Sequence, residues 1–196
     1  MKAAPLLLTG LPPLVSSRTR LLILGSFPGV ASLAAQQYYG HPQNHFWKIL
    51  QAIWPSSQGD IRTASYQIRS EWLLSKGLGV WDVYAACERE GSRDSNIRNA
   101  VVNDFAGLRQ TCPKLEAIAH NGGESFKHSK YVMIALSAAG PPQGAKAPSG
   151  GSEDTPVRSV GVQFHRLPST SPANASWSFE RKLAAWREVF EKHGLV

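Results

Sequence analysis

The stretch from residue 21 to residue 47 constrains the fold more than any other part of the chain. It opens with four apolar residues, 21–24, which predict a short buried strand, and this strand breaks at the sequence GSFPG, residues 25–29. A polar and aromatic segment, residues 36–44, precedes a helix predicted to open with Phe46. In open α/β sheets, ligands bind where such loops leave the carboxyl ends of the strands. The stretch therefore predicts an α/β sheet with a ligand loop at its edge.

Three further apolar segments predict the other strands, at residues 78–84, 115–119 and 160–167. Strands that alternate with helices are typical of a mainly parallel sheet between two helical layers. We therefore predict one domain over residues 1–196, with a three-layer α/β/α arrangement around a central, mainly parallel four-stranded sheet. Residues 1–17 are expected to form an extended arm over the core. The Pro-, Gly- and Ser-rich segment 140–159 is expected to form a flexible insertion.

The helix predictions rest on apolar spacing and on capping residues. Asn44 or His45 is expected to cap a helix that ends near residue 53, and Asn103 to cap a helix over residues 104–110. Further helices are predicted from about residue 66 to residue 76, after residue 123 to about residue 139, and at the C-terminal end. The last of these has one clean apolar face.

Four polar loops follow the four predicted strands, at residues 25–45, 82–99, 120–123 and 168–174. Since the carboxyl ends of parallel strands lie at one edge of a sheet, we expect these loops to form one site. Their polar side chains are Asn44, Asp82, Asp94, Asn96, Asn121, Ser169 and Ser171. A carboxamide is no strong base, but it holds a water or pairs with the edge of a heterocycle. Such a site suits a reaction that needs orientation more than proton transfer, such as hydrolysis of the glycosidic bond to a deaminated base.

The charge of the chain points to a polyanionic partner. The formal net charge is +7, which favours nucleic acid through phosphate neutralisation, although many basic domains bind no polyanion. Cys87 and Cys112 form no CxxC pair, so we expect a reduced, cytoplasmic protein. No segment approaches the roughly 20 apolar residues that a membrane span needs, and we expect no membrane association.

Familiar cofactor and enzyme motifs are missing from the sequence. It contains no GxGxxG or GxxxxGK[ST] phosphate loop, no GxSxG nucleophile elbow, no HExxH and no His/Cys cluster. We therefore expect no metal and no redox cofactor. The sequence leaves two possibilities, a reaction that needs no cofactor or ligand binding without catalysis.

Three sets of motifs resemble the uracil-DNA glycosylase superfamily, and more narrowly its hypoxanthine-DNA glycosylase branch. The first motif is GSFPG with YYGHPQNHFW, residues 25–29 and 38–47. The middle motif is LGVWDV with REGSRDSNI, residues 78–83 and 89–97, and the last is LPSTSPAN, residues 167–174. The resemblance covers roughly residues 20–137 and 160–192. It implies an enzyme that hydrolyses the bond between a deaminated base and DNA.

The resemblance assigns the central amide to Asn44. Mismatch-type uracil glycosylases carry a catalytic asparagine before the proline of their first motif, where this chain has Phe27. In the hypoxanthine branch the essential amide is the asparagine of the HPxN segment, which is Asn44 here. The resemblance therefore implies that Asn44 positions water and that Phe27 stacks on the extruded base. The alternative role for Asn44 is that of a helix cap or loop organiser.

Other roles follow from the same resemblance. Gly25, Ser26, Tyr39 and Asn121 are expected to form the base pocket, with Asn121 reading the base edge. Tyr39 is otherwise a core aromatic residue, and Asn121 a turn residue before a glycine. Asp82 is a site acid or a brace for its loop. Asp94 and Asn96 either line the site or stabilise their loop, and the sequence leaves both roles open.

The resemblance also implies a role for the last loop in gripping DNA. Ser169, Thr170, Ser171 and Pro172 are expected to press the strand phosphates while the nucleotide flips out. Many relatives carry a histidine at the start of this loop, where this chain has Leu167, which puts a leaving-group contact from that position in doubt. In addition, Gln43 stands where a basic residue is often found.

The sequence thus predicts a monomeric, monofunctional DNA glycosylase of base excision repair that binds damaged DNA and is most suited to hypoxanthine (deoxyinosine). No lysine nucleophile is implied, so no strand-cleaving lyase step is expected. Two alternatives remain. One is a uracil-preferring glycosylase of the same fold, and the other is a non-catalytic nucleic-acid-binding domain.

Overall fold

The computed structural model describes residues 7–55, 59–138 and 161–196. Within these ranges the chain forms two sheets, one of four strands and one of three. The strands are β1 (Leu7–Thr9), β2 (Leu21–Gly25), β3 (Leu78–Asp82), β4 (Tyr84–Glu88), β5 (Arg98–Val102), β6 (Ala117–Asn121) and β7 (Gln163–Leu167). The helices are α1 (Val30–Ala35), α2 (Phe46–Ile53), α3 (Tyr66–Ser75), α4 (Leu108–Thr111), α5 (Gly123–Phe126), α6 (Ser129–Ala138) and α7 (Phe179–Lys192), with 3₁₀ turns at Ile61–Thr63 and Asp94–Asn96.

The larger sheet is parallel, with the strand order β3-β2-β6-β7. All of β2 is buried, which explains its unbroken apolar sequence, because a central strand covered on both faces has no solvent side. Leu21 and Ile23 pack against α2 and α7 through residues such as Phe46 and Trp186. Leu22 and Leu24 face a second apolar cluster on the opposite side. The prediction of a three-layer α/β/α fold is confirmed.

A small antiparallel sheet with the order β1-β4-β5 was not predicted, and it corrects the loop prediction for residues 82–99. The chain leaves β3 at Asp82 and, after Val83 alone, continues as β4. The Val83 N–H donates to the carbonyl oxygen of Gly25, the last residue of β2, at a distance of 2.9 Å. The start of β4 therefore lies at the carboxyl end of β2, at the edge of the larger sheet. Of the predicted arm 1–17, residues 7–17 lie over the core, with β1 paired to β4 and Leu14 bridged to Val80, while residues 1–6 lie outside the described residues.

The helices agree with the prediction in α2, α3 and α7 and differ from it elsewhere. The Asn103 side chain caps no helix; it donates to the Asp82 carbonyl oxygen at 2.9 Å, and α4 begins only at Leu108. The single helix predicted after residue 123 is divided into α5 and α6. The predicted insertion 140–159 lies outside the described residues. No helix among the described residues has both the length and the apolar character needed to cross a membrane.

Candidate active site

A cavity of about 730 Å³ opens at the carboxyl edge of the parallel sheet, where all four predicted loops contribute to its wall. Loop residues after β2, β3, β6 and β7 meet there because the four strands run in the same direction. The predicted site residues that line it are Gly25, Ser26, Phe27, Tyr39, Asn44, Asp82, Asp94, Asn121, Ser169, Thr170, Ser171 and Pro172. We call this space the base cavity. The structure therefore brings together residues that lie up to 147 positions apart in the sequence.

Asn44 is half-buried in the wall of the base cavity, immediately before α2. Its side-chain oxygen accepts a hydrogen bond from the Phe46 N–H at 2.9 Å, and its own N–H donates to the His41 carbonyl oxygen at 2.9 Å. The bond from Phe46 fixes which end of the amide is oxygen. One lone pair of that oxygen and the whole Nδ2 group form no hydrogen bond with other described residues. Asn44 is thus both a loop organiser and a group able to hold water.

Asp82 ends β3 with its carboxyl group in the base cavity, and the residue is 5% exposed. Its Oδ2 is buried and forms no hydrogen bond within the described part of the chain. Burial and, to a smaller extent, the nearby Asp94 raise the pKa of Asp82 to about 7, while Arg89 acts in the opposite direction. A carboxyl group that braced its loop would be hydrogen-bonded to it. The Asp82 side chain forms no such bond among the described residues.

The loop after β2 is joined to the loop after β4 by hydroxyl groups. Ser26 Oγ donates to Asp94 Oδ1 at 2.7 Å, and the Val30 N–H donates to Ser92 Oγ at 2.9 Å. Burial raises the pKa of Asp94, and the bond from Ser26 partly offsets this rise. Two carboxyl groups therefore face the same cavity and disfavour each other's ionisation.

Phe27 packs between the cavity wall and the buried guanidinium group of Arg89, which lies 5.0 Å from the ring centre. Phe27 is 6% exposed, and Arg89 donates a hydrogen bond to the Pro28 carbonyl oxygen. Burial lowers the pKa of Arg89. The guanidinium group lies against the ring and is bonded to the GSFPG loop, so Phe27 is held in place in the wall of the base cavity.

Tyr39 stacks on Phe46, with the ring centres 3.8 Å apart and an angle of 20° between the rings. Its backbone φ of 55° lies in the left-handed region, which a non-glycine residue adopts only when its surroundings hold it there. The Tyr39 hydroxyl is buried without a hydrogen-bond partner among the described residues. Tyr39 therefore belongs to the core and to the cavity wall at once.

Asn121 is bonded to the loop after β7 through both ends of its amide. Its oxygen accepts from the Thr170 N–H and its Nδ2 donates to Thr170 Oγ1, each at 2.9 Å. The Thr170 carbonyl oxygen in turn accepts from the His45 N–H at 3.0 Å. The second Nδ2 hydrogen of Asn121 forms no hydrogen bond of normal geometry with another described residue, and the Tyr39 hydroxyl lies near this amide. Gly122 follows at a φ of 109°, where an added Cβ would come within 3.0 Å of Ser169 Cβ.

Comparison with known proteins agrees with this geometry. A sequence model of the uracil DNA glycosylase superfamily matches residues 12–192. The chain belongs to the uracil DNA glycosylase superfamily. The prediction of a DNA glycosylase fold and family is confirmed.

Two relatives of this superfamily carry the name hypoxanthine DNA glycosylase. The protein of Methanosarcina barkeri (strain Fusaro) is 33% identical over 183 residues, which are 93% of this chain and 98% of that protein. The protein of Methanosarcina acetivorans is 32% identical over 181 residues, which are 92% and 96% of the two chains. A solution NMR structure from M. acetivorans, described as a candidate uracil DNA glycosylase, superposes with a TM-score of 0.71 at 30% identity. The superposed region covers 95% of this chain and 98% of the chain in the NMR structure.

The structure places two residues whose roles the sequence left open. Asn96 does not line the base cavity; its Nδ2 donates to the Glu90 carbonyl oxygen at 3.0 Å, so it organises its loop. Leu167 is 2% exposed and lies in the core cluster beneath the sheet. The start of the last loop therefore places an apolar side chain in the core.

Arg89 and His41 lie within the quoted motifs, but neither was predicted to be a site residue. Arg89 lies in a polar run that looks solvent-exposed, and only the fold places its guanidinium under Phe27. His41 lines the base cavity beside Asn44, and its position in the HPQN segment was the available signal. Among the described residues there is no group of three or more His, Cys, Asp or Glu side chains arranged to hold a metal ion.

Proposed function

We propose that this chain is a monofunctional DNA glycosylase that releases hypoxanthine from deoxyinosine in DNA and leaves an abasic site. The observation that carries the proposal is the position of Asn44 and Asp82 in one cavity, between loops from all four parallel strands. The names of the two Methanosarcina relatives support hypoxanthine as the base.

In the proposed reaction, the damaged nucleotide leaves the duplex and its base enters the base cavity. Flipping costs a few kcal/mol, and this cost is lower for a mispaired base such as hypoxanthine. The base lies against Phe27 and Tyr39, and the free N–H of Asn121 donates to its edge. Ser169, Ser171 and Pro172 contact the strand on either side of the flipped nucleotide. Thr170, which was also expected to press on the phosphates, is fully buried and bonded to Asn121, so it holds the loop instead.

Asn44 then positions the attacking water. The free lone pair of its side-chain oxygen accepts a hydrogen bond from that water, while the bond from the Phe46 N–H prevents rotation of the amide. As the glycosidic bond breaks, its electron pair moves onto the purine ring, and the water oxygen bonds to the anomeric carbon. Holding the water in line lowers the barrier mainly by orientation.

Asp82 receives the proton that the water loses. Asp82 lines the cavity, its buried Oδ2 has no hydrogen-bond partner among the described residues, and its negative charge also stabilises the positive charge that develops on the sugar. No lysine is among the residues that line the base cavity, which supports base release without a lyase step. We further propose that the enzyme acts as a monomer. Its two free, buried cysteines fit the reducing conditions of the cytoplasm.

Single-turnover base release tests the proposal. Duplexes that contain hypoxanthine, uracil or xanthine are incubated with wild-type enzyme, Asn44→Ala and, as a control, Gln110→Ala, which changes an exposed carboxamide outside the cavity. We expect fastest release of hypoxanthine, a rate roughly 10²–10³-fold lower for Asn44→Ala, and an unchanged rate for the control. Release of uracil alone would favour a uracil-preferring enzyme. Release of none of the three bases would leave only a DNA-binding role.

A further inference from the structure

A second cavity, of about 630 Å³, lies beside the base cavity, and the reaction described above does not use it. The two cavities share the wall formed by Tyr39, His41, Asn44, Pro172 and Asn174. On the far side of this wall lie α2, the chain before α3, and the start of α7. We call this space the cationic groove. Its basic residues are Lys48, Arg62, Arg69 and Lys182, together with His45.

The cationic groove carries an excess of positive charge. No aspartate or glutamate is among the described residues that line it. Arg62 is paired with Asp60, and the exposed Glu180 interacts with Lys48 and His45, so these carboxylates neutralise part of the charge. Lys182 and Arg69 have no carboxylate partner among the described residues.

Lys182 is the unusual member of this set, because it is 1% exposed. Its only hydrogen-bond partner in the described chain is the Ser171 carbonyl oxygen, at 3.5 Å, the outer limit for such a bond. A buried ammonium group without a counter-charge destabilises the folded protein. Nearby, Nδ1 of His45 and Nε of Arg69 are also buried without partners. Lys182 Nζ, with its one long hydrogen bond, and the two unpartnered nitrogen atoms of His45 and Arg69 therefore belong to side chains that line one space, which is the arrangement that an anion completes.

We propose that the cationic groove binds a backbone phosphodiester of the damaged strand, next to the nucleotide held in the base cavity, with Lys182 as its buried anchor. This inference rests on the proposed function in one respect, namely that the ligand of the base cavity is DNA. The shared wall supports the assignment, since it places the cationic groove directly beside a nucleotide held in the base cavity. The loop of Ser171 joins the two spaces directly, because it lines the base cavity and holds Lys182.

The test is a scan of single methylphosphonates, which remove the charge of one phosphate at a time, along a duplex with a non-cleavable abasic-site analogue. Binding is measured by fluorescence anisotropy for wild-type enzyme, Lys182→Met and Lys130→Gln. Lys130 is an exposed lysine of α6 that lines neither cavity. We expect one methylphosphonate next to the lesion to weaken wild-type and Lys130→Gln binding by about tenfold and to leave Lys182→Met binding unchanged. The slope of log affinity against log salt should also decrease by about 0.9 in Lys182→Met.

Equal sensitivity of wild-type enzyme and Lys182→Met at every phosphate would overturn the proposal. If Lys182→Met does not fold, as judged by circular dichroism, Lys48→Gln provides the same comparison from the exposed side of the groove. The experiment requires binding only, so it is independent of base release. If the wild-type protein releases no base but Lys182→Met loses one phosphate contact, the proposed activity is refuted and the proposal for the cationic groove stands.

Discussion

Gly25 and Asp82 end two neighbouring strands at the same level of the sheet, and the Asp82 carboxyl group fills the space that a side chain on residue 25 would occupy. A Cβ on residue 25 would overlap with Asp82 Oδ1. The absence of a side chain at Gly25 therefore sets the position of the carboxyl group in the base cavity.

The first prediction concerns Gly25→Ala. The added methyl group displaces the Asp82 carboxyl group, and a shift of about 1 Å in a catalytic group costs roughly 100-fold in rate. We expect single-turnover release of hypoxanthine to fall by about this factor while the circular dichroism spectrum is retained. Gly107→Ala is the matched control, since a Cβ there meets no atom within 4 Å. An unchanged rate in Gly25→Ala would contradict the role given to Asp82.

The second prediction concerns the pH dependence of base release. Burial raises the pKa of Asp82 to about 7, so the fraction of active carboxylate increases with pH through this value. We expect the wild-type rate to rise between pH 5 and pH 8 and to level off above it. Asp82→Asn should be slower and lose this dependence, whereas Asp104→Asn, an exposed control, should keep it. If the release rate of Asp82→Asn depends on pH in the same way as that of the wild type, a group other than Asp82 titrates, and Asp82 stabilises its loop instead of taking part in base release.

The third prediction concerns stability at the same residue. The pKa of an aspartate in the unfolded chain is about 3.9, so between roughly pH 4 and pH 7 the folded protein binds more protons than the unfolded chain. The free energy of unfolding contributed by Asp82 therefore decreases as the pH rises through this window. We expect Asp82→Asn to be more stable than the wild type in urea at pH 8, with a smaller difference at pH 5. A difference that does not depend on pH would show that the carboxyl group is solvated.

The fourth prediction concerns Phe27. Stacking of a base on an aromatic ring contributes about 1–3 kcal/mol, so Phe27→Leu should lower the affinity for DNA with a flipped base by about tenfold. Phe164→Leu is the control, because Phe164 stacks on His120 and lines neither cavity. The measurement is binding to inosine-containing and undamaged duplexes. An equal loss for both duplexes would show that Phe27 acts on the fold and not on the base.

The fifth prediction separates the two roles of Asn121. Thr170→Val removes the hydroxyl acceptor of Asn121 Nδ2 and should cost about 1 kcal/mol of stability, with the ranking of bases unchanged. Asn121→Ala should lower the release rate and also change the ratio of hypoxanthine to uracil release, because it removes the free N–H. Identical ratios in the wild type and Asn121→Ala would restrict Asn121 to holding the loop.

Local sequence patterns were sufficient for the parallel sheet and for the position of the site. The apolar run at residues 21–24 has no polar side chain, so it had to be a covered strand, and polar loops after such strands meet at one edge. The same reasoning failed for β4 and β5. Their residues are partly exposed, and Arg98–Val102 looks like the continuation of a polar loop until it pairs with β4.

The pairs of side chains that shape the site were beyond local prediction. Asn121 and Thr170 are 49 positions apart, and Arg89 lies 62 positions after Phe27. Nothing in the neighbouring sequence of Asn103 shows that its amide goes to the Asp82 carbonyl oxygen instead of to a helix end. Such contacts depend on how the strands are ordered in space, and for that reason capping rules alone misplaced this residue.

The hydrogen bond from the His45 N–H to the Thr170 carbonyl oxygen has a consequence for the thermodynamics of DNA binding. Together with the Asn121–Thr170 bonds, it makes one cross-linked unit of the segment that carries Asn44 and the loop that faces the strand. The conformational entropy of these loops is thus lost when the protein folds, so little remains to be lost when DNA arrives. We expect the free and DNA-bound enzyme to have nearly superimposable loops, with the main structural change in the DNA.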